Sequence, residues 1–332
     1  MNERLLSGLL LAMTAIWGWT FTVVKDAVAV HGVVSFLAAR FAIGAACLAA
    51  LGGRRLTRQS TLLGSLIGLI LAAAYLCQTF GLRHTTATHC GLITSLFVLF
   101  APLANRVLFG APTPRVVWVA IGASLLGLTL LMAAGTSPWA WGDVVTLGAA
   151  VGFGLQIAIL DRHARRHDPL GLALAQVLSA AAILSCVGPL AEPFHWPSGP
   201  VWFAILLTGV VATAIGFYLQ TLAQRQLSAA RVAVIFSLEP VFAAFFGHWL
   251  AGDRLSAIQW FGAAWMFAAV LLAEVVPKTR APDTILDAAQ RVPRQTPEPR
   301  EAQGHDKLRQ GRSRPLPDRE NRATMNHDLG GR

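Results

Sequence analysis

Apolar residues in this chain fall in long unbroken runs, not in the alternation of a strand or the narrow stripe of a soluble helix. Between polar, proline or glycine interruptions, ten runs occupy roughly residues 5–24, 34–51, 61–80, 88–109, 116–134, 143–160, 170–190, 201–221, 231–250 and 256–276. About 20 apolar residues in a helix cross a hydrocarbon core of about 30 Å. Each run therefore predicts one transmembrane helix. Barrel strands alternate over about ten residues, and these runs do not. The interruptions are helix stops: Gly52-Gly53-Arg54-Arg55, Ala111-Pro112-Thr113-Pro114, Thr136-Ser137-Pro138-Trp139, and the prolines Pro193, Pro197 and Pro200.

Composition agrees. Of 332 residues, 55% are hydrophobic and 13% charged, with a mean hydropathy of +0.55. A soluble domain carries about 25% charged residues. A cytosolic enzyme, a secreted disulfide scaffold and a disordered chain are all poor fits. The four cysteines, Cys47, Cys77, Cys90 and Cys186, lie in or beside apolar runs without a C-x-x-C pair and read as packing residues. The first run is too long for the apolar part of a signal peptide and no A-x-A-like site follows, so an uncleaved first span is expected.

The net charge of +10 is spread unevenly. With the amino terminus in the cytoplasm, 13 basic residues fall in cytoplasmic segments and three, Lys25, Arg83 and Arg254, on the other side. Only Arg40 lies within a span. That alternation predicts an even number of spans with both termini cytoplasmic. Trp139, Trp141, Trp196 and Trp202 then fall at the outer interface, as an aromatic belt would. The basic residues sit in short loops, so nucleic-acid binding is not expected.

The chain also repeats itself. A shift of 142 places Gln78-Thr79 on Gln220-Thr221, Arg83 on Arg225, Ser95-Leu96 on Ser237-Leu238, Phe100-Ala101 on Phe242-Ala243 and Trp118 on Trp260. A shift of 136 places Gly18 on Gly154, Val24-Lys25 on Leu160-Asp161 and Arg40 on Gln176. Spans one to five thus recur as spans six to ten. Five is odd, so the second copy enters the membrane inverted. The expected fold is an all-α polytopic membrane protein of ten transmembrane helices in two inverted five-helix repeats, residues 1–134 and 143–276. Residues 277–332, with seven of the 17 prolines and no aromatic residue, read as a disordered basic cytoplasmic tail.

Trp17-Gly18-Trp19-Thr20-Phe21 leading to Lys25, Arg40 in span two, Ser237-Leu238-Glu239-Pro240-Val241-Phe242 in span nine, and Leu250-Ala251-Gly252-Asp253-Arg254-Leu255 after it are similar to the signatures of the EamA-like branch of the drug/metabolite transporter superfamily. The resemblance covers about residues 1–276. It implies ten spans, an inner-membrane location, both termini cytoplasmic, and secondary transport, often export of amino acids or other small metabolites. In the first repeat Phe97-Val98 stands in the place of Glu239-Pro240, and a proline comes only at Pro102.

The candidate residues follow from the cost of polarity in hydrocarbon. Glu239 is read as a proton carrier or a contact for a substrate amine, or else as a structural cap at a helix broken by Pro240. Arg40 could bind a substrate carboxylate in a bidentate manner, snorkel, or pair with a span end. Gln78 and Gln220 are repeat mates that could line a polar path or join helices, as could Gln156 and Gln176. Trp17 and Trp19 could wall a substrate or simply pack. Pro102 and Pro240 are the expected helix breaks. His163 and His167 stand four apart but within Arg162-His163-Ala164-Arg165-Arg166-His167, too cationic a stretch for a metal site.

No phosphate-binding loop, nucleophile elbow or zinc motif occurs, so no cofactor is expected. The expected function is a secondary transporter of a small-molecule substrate, alternating access between the repeats, with Glu239 as the candidate for proton coupling or amine contact and the lipid bilayer as its other partner. The competing readings are a membrane enzyme acting on a lipid-linked substrate, which clustering of Glu239, Arg40 and His248 would favour, and a sensor or scaffold acting through the tail.

Overall fold

A computed structural model describes residues 2–111, 114–132, 140–193, 195–250 and 255–275. These all belong to one compact unit, residues 1–281. The expected stop Thr136-Ser137-Pro138-Trp139, the Gly252-Asp253-Arg254 motif and the expected disordered tail lie outside the described residues.

Among the described residues the chain is helical, with no strand. The helices are α1 (Glu3–Val30), α2 (Val33–Gly52), α3 (Arg58–His84), α4 (Ala87–Thr94), α5 (Phe97–Phe109), α6 (Arg115–Met132) and α7 (Trp141–His163). After them come α8 (Pro169–Ala191), α9 (Gly199–Leu206), a π-helical stretch (Leu207–Ile215), α10 (Gly216–Gln224), α11 (Ala229–Phe236), α12 (Glu239–Leu250) and α13 (Ala257–Val275).

Local chemistry sets the ends. Asn2 accepts from the Arg4 amide at the start of α1, and Thr57 and Ser60 form a reciprocal capping box on α3. Asp168 accepts from the Leu170 and Gly171 amides ahead of α8, whose first residue is Pro169. Gly110, at φ +63°, ends α5 in the left-handed conformation that only glycine adopts freely. The α2 start is capped from afar: Glu192 accepts from the Val34 and Ser35 amides, each at 3.1 Å.

Eight segments are long and apolar enough to cross a membrane: Glu3–Val30, Val33–Arg55, Arg58–His84, His89–Phe109, Trp141–Arg166, Pro169–Ala191, Gly199–Gln224 and Ala229–Leu250. The two other expected spans correspond to α6, whose apolar part Trp118–Leu130 is shorter, and to α13, and these two pack on each other. Leu62 (65%), Trp249 (68%) and Leu190 (89%) are largely exposed. Such surfaces call for lipid rather than water.

Helices approach closely where side chains are small, since hydrocarbon gives no hydrophobic drive for helix pairing. Along α3, Gly64 and Gly68 lie against Ala175, Gln176 and Ser179 of α8. Gly18 of α1 lies against Phe242 and Ala243 of α12, and Gly154 of α7 against Phe100 and Ala101 of α5. The second pair consists of the repeat mates of the first.

The breaks in spans four and nine share one cause. Leu96 and Leu238 each bond three residues back, to the carbonyls of Ile93 and Ile235, and not four back. The carbonyls they leave, Leu92 and Val234, are taken by the hydroxyls of Ser95 and Ser237, both at 2.7 Å. The break expected at Pro102 therefore lies at Ser95-Leu96, and Pro102 sits inside α5. Pro240 is the second residue of α12, within the first turn, where a missing N–H costs no intrahelical bond. It begins a helix after a break that the Ser-Leu pair makes.

Candidate functional site

Spans one, two, three, four, six, eight and nine surround a cavity that leaves about 660 Å³ unfilled by atoms, its mouth included. Its wall mixes aromatic rings (Trp17, Phe21, Tyr75, Phe97, Phe153, Phe217, Phe236) with the polar groups Thr20, Arg40, Gln78, Thr79, Thr94, Gln156, Gln220 and Glu239.

Arg40 is 4% exposed and does not snorkel. Its Nε donates to Thr213 Oγ1 at 2.9 Å and its Nη2 to the Tyr75 hydroxyl at 3.3 Å. Its guanidinium carbon stands 4.6 Å from the Tyr75 ring centroid, a cation–π distance. These contacts fix the guanidinium plane and use two of its five donors, leaving others for an anionic group.

Glu239 is the first residue of α12 and 8% exposed. The helix N-terminus favours a negative charge there. Its carboxylate lines the cavity, and among the described residues no hydrogen bond or ion pair within 4 Å is made to it. A cation and a carboxylate thus share one mostly apolar chamber. The carboxylate is free to meet an ammonium group or a proton.

Trp17 donates its Nε1 to the Ala212 carbonyl at 2.9 Å and packs edge-on against Phe236, centroids 4.9 Å apart. Ala212 and Thr213 both belong to the π-helical stretch, whose wider turn redirects backbone carbonyls. Adjacent π residues therefore hold two cavity side chains, Trp17 and Arg40. Trp19 does not reach the cavity: it is half-buried and packs on Phe246, centroids 6.4 Å apart. Two residues further along a helix is 200° around it, so Trp17 and Trp19 face opposite ways.

Gln78 lines the cavity and donates to Thr94 Oγ1 at 3.3 Å. Gln220 lines it too, within a buried chain of amides. Gln220 Nε2 donates to Gln156 Oε1 (3.0 Å) and Gln224 Oε1 (3.1 Å), Gln156 to Gln176 (3.1 Å), and Gln176 to Thr221 (3.1 Å). Gln224 donates to the Ile157 carbonyl at 2.8 Å. His248 packs against Trp249 and Trp260 and is not part of the cavity wall. Among the described residues no group of three potential metal ligands occurs.

Tyr75 and Thr213 were not singled out in the sequence. Tyr75 had a signal, being one of only two tyrosines, with its hydroxyl inside an apolar run. Thr213 had none, because the π turn that aims it is not visible as a motif.

The model of one family, described as the EamA-like transporter family, matches residues 6–133 and again 140–274. The chain belongs to the EamA-like transporter family. It is a multi-pass membrane transporter of the drug/metabolite transporter superfamily. An uncharacterized transporter of Archaeoglobus fulgidus is 31% identical over 271 residues, 81% of this chain and 86% of that protein. The uncharacterized inner membrane transporter YedA of Escherichia coli K12 is 26% identical over 280 residues, 80% and 90% of the two chains. The threonine/homoserine exporter RhtA of Escherichia coli K12 is 27% identical over 164 residues, 48% of this EamA-like chain and 54% of RhtA. A protein crystal structure superposes with a TM-score of 0.68 at 19% identity, covering 80% of this chain and 96% of that one, which shows a shared fold.

Proposed function

We propose that this EamA-like protein is a ten-span, proton-coupled exporter of small zwitterionic metabolites such as amino acids. It works by alternating access between inverted repeats spanning residues 1–134 and 143–276. The observation that carries the reading is the cavity itself: Arg40 and the unbonded Glu239 carboxylate share one chamber walled by aromatic rings and neutral amides. Arg40 receives the substrate carboxylate. Glu239 receives its ammonium group, or the proton that replaces it. The rings cover the aliphatic part.

The helix pairing supports the inverted arrangement. Span three packs on span six and span eight on span one; span four packs on six and span nine on one; span two meets seven, and five meets ten. Exchanging the two repeats leaves this pairing unchanged. Gly209 packs on the Arg40 carbonyl and Ile43, as Gly68 packs on the Gln176 carbonyl and Ser179. These glycines are 141 apart, whereas Gln78 and Gln220 are 142 apart. The one additional residue in span eight is absorbed by the π turn between them. The basic-residue alternation favours a cytoplasmic α1 N-terminus, and the similarity to RhtA favours export and an amino-acid substrate.

The test is flux. Purified protein in liposomes with an imposed proton gradient is offered a labelled panel of amino acids and other small metabolites. Accumulation of zwitterions by wild type, with loss in Arg40→Gln and loss of gradient dependence in Glu239→Gln, is the expected result. Transport of no panel member under any ion gradient refutes it.

A further inference from the structure

Fourteen of the eighteen residues lining the cavity fall into seven pairs of repeat mates, among them Trp17 and Phe153, Thr20 and Gln156, and Gln78 and Gln220. Four have no mate on the wall: Val24, Arg40, Thr79 and Leu82, all from the first repeat. Their mates are Leu160, Gln176, Thr221 and Gln224, which are fully buried and do not line the cavity. The chamber therefore extends from its two-fold centre in one direction only. That direction is the face where α1 and α3 end, since Lys25 Nζ there donates to the Thr85 carbonyl. Toward the face where α1 begins, marked by the Glu3–Arg231 ion pair, the space is closed.

At that end lies the glutamine chain. Gln156 of span six, Gln176 of span seven, and Gln220 and Gln224 of span eight are joined by hydrogen bonds of 3.0–3.1 Å. On the open side the mates of the central pair, Thr20 and Gln78, do not bond to each other. Thr20 turns back to the Trp17 carbonyl and Gln78 reaches Thr94.

We infer that the Gln156–Gln220 hydrogen bond is the latch of a gate on the N-terminal face, and that its mates Thr20 and Gln78 form the corresponding latch on the opposite face when the transporter turns over. This assignment rests on the inverted-repeat reading above and deepens it. The two latches are not equally strong. A threonine hydroxyl is shorter than a glutamine amide and cannot copy its reach, so the Thr20–Gln78 contact is the weaker of the two. The resting protein consequently stays closed on its N-terminal face. The difference is encoded in one position of the repeat, residue 20 against residue 156.

Thiol accessibility tests this without knowledge of the substrate. In a background with Cys47, Cys77, Cys90 and Cys186 replaced, the mates Val24→Cys and Leu160→Cys each serve as a reporter. A membrane-impermeant maleimide is added to either face of membrane vesicles. With native latches, Val24→Cys reacts from the face opposite the N-terminus and Leu160→Cys is protected. Thr20→Gln supplies the missing amide. It slows labelling of Val24→Cys by about threefold, the effect of one interhelical hydrogen bond in a membrane, and speeds labelling of Leu160→Cys from the N-terminal face. Gln156→Thr weakens the other latch and shifts both reporters the same way as Thr20→Gln. Should Gln156→Thr fail to fold, Thr20→Gln alone decides, because it adds a contact across helices and removes only the intrahelical bond of the Thr20 hydroxyl to the Trp17 carbonyl. Unchanged labelling in Thr20→Gln, or both reporters accelerating together, overturns the assignment. Reciprocal labelling in a protein that moves no solute would retain the latches and refute the exporter reading, while flux without reciprocal labelling would do the reverse.

Discussion

A methyl group added at Gly18 has nowhere to go. Its Cβ would stand 2.7 Å from the Glu239 carbonyl oxygen, 2.7 Å from Phe242 Cβ and 2.8 Å from the Ala243 amide nitrogen. Two of these three are backbone atoms, which do not swing aside. Carbon atoms rest about 3.5–4.0 Å apart, so α1 and α12 must separate by about 1 Å. A gap of that size forfeits a quarter to a half of the attraction at every contact along the seam. Overpacking of this kind costs about 1–3 kcal/mol. At its repeat mate Gly154 a Cβ would meet Phe100 Cβ at 2.5 Å and the Ala101 amide at 2.9 Å, so Gly154→Ala should cost a similar amount. Gly8 in α1 and Gly122 in α6 have nothing within 4 Å of an added Cβ. There alanine only improves helix propensity, by up to about 1 kcal/mol. The assay is thermal unfolding of all four alanine variants in one detergent, followed by flux in liposomes. Gly18→Ala and Gly154→Ala should melt below wild type, Gly8→Ala and Gly122→Ala at or above it. Because Gly18 touches Glu239, its variant should also lose more transport than Gly154→Ala. Equal melting of Gly18→Ala and Gly122→Ala would refute the close-approach argument.

Arg40→Lys keeps the charge but loses the planar contact with Tyr75 and the fixed bond to Thr213, so it should raise the KM for transport more than it lowers stability. Pro102→Ala restores an amide to a continuous helix and should leave the melting temperature of the protein unchanged or higher, by up to about 3 kcal/mol in stability, with transport retained; a strong loss of transport would mean that Pro102 acts as a break after all. Burial holds the His31 imidazole below the usual histidine range; His195 nearby acts the same way and Glu192 opposes them. A depressed histidine favours the folded state above its ordinary titration range and loses that contribution as pH falls through its folded value. His31→Gln should therefore flatten the decline of melting temperature as pH falls below about 6.5, and an unchanged profile would argue against it.

The helices α2 and α8 match their expected runs because nothing competes with length and hydropathy in deciding a membrane span. Glu239 and Arg40 were legible for the same reason: an ionisable group in hydrocarbon is rare enough to stand out. The faces of those helices were not legible. In a soluble helix the polar face tells inside from outside, but here lipid and protein interior are equally apolar. Nothing in the sequence therefore separates Trp17, on the cavity wall, from Trp19, outside it.

The break in span four shows the same limit. Ser95-Leu96 carries it without any proline nearby, because a hydroxyl that takes a freed carbonyl can end a helix turn quietly. Only the match to Ser237-Leu238 signals it. The π turn that aims Ala212 and Thr213 at Trp17 and Arg40 is likewise a matter of one residue too many for the register that packing against α2 imposes.

By itself the sequence determined that the chain is helical and membrane-embedded, that it repeats, and that Arg40 and Glu239 are buried charges, since each of these follows from transfer free energy and spacing along one dimension. The tertiary structure alone decided which of two chemically similar halves is closed. That depends on whether amides from spans six, seven and eight come within 3.1 Å of one another, and hydrogen bonds of that length form only when separate helices are held in register.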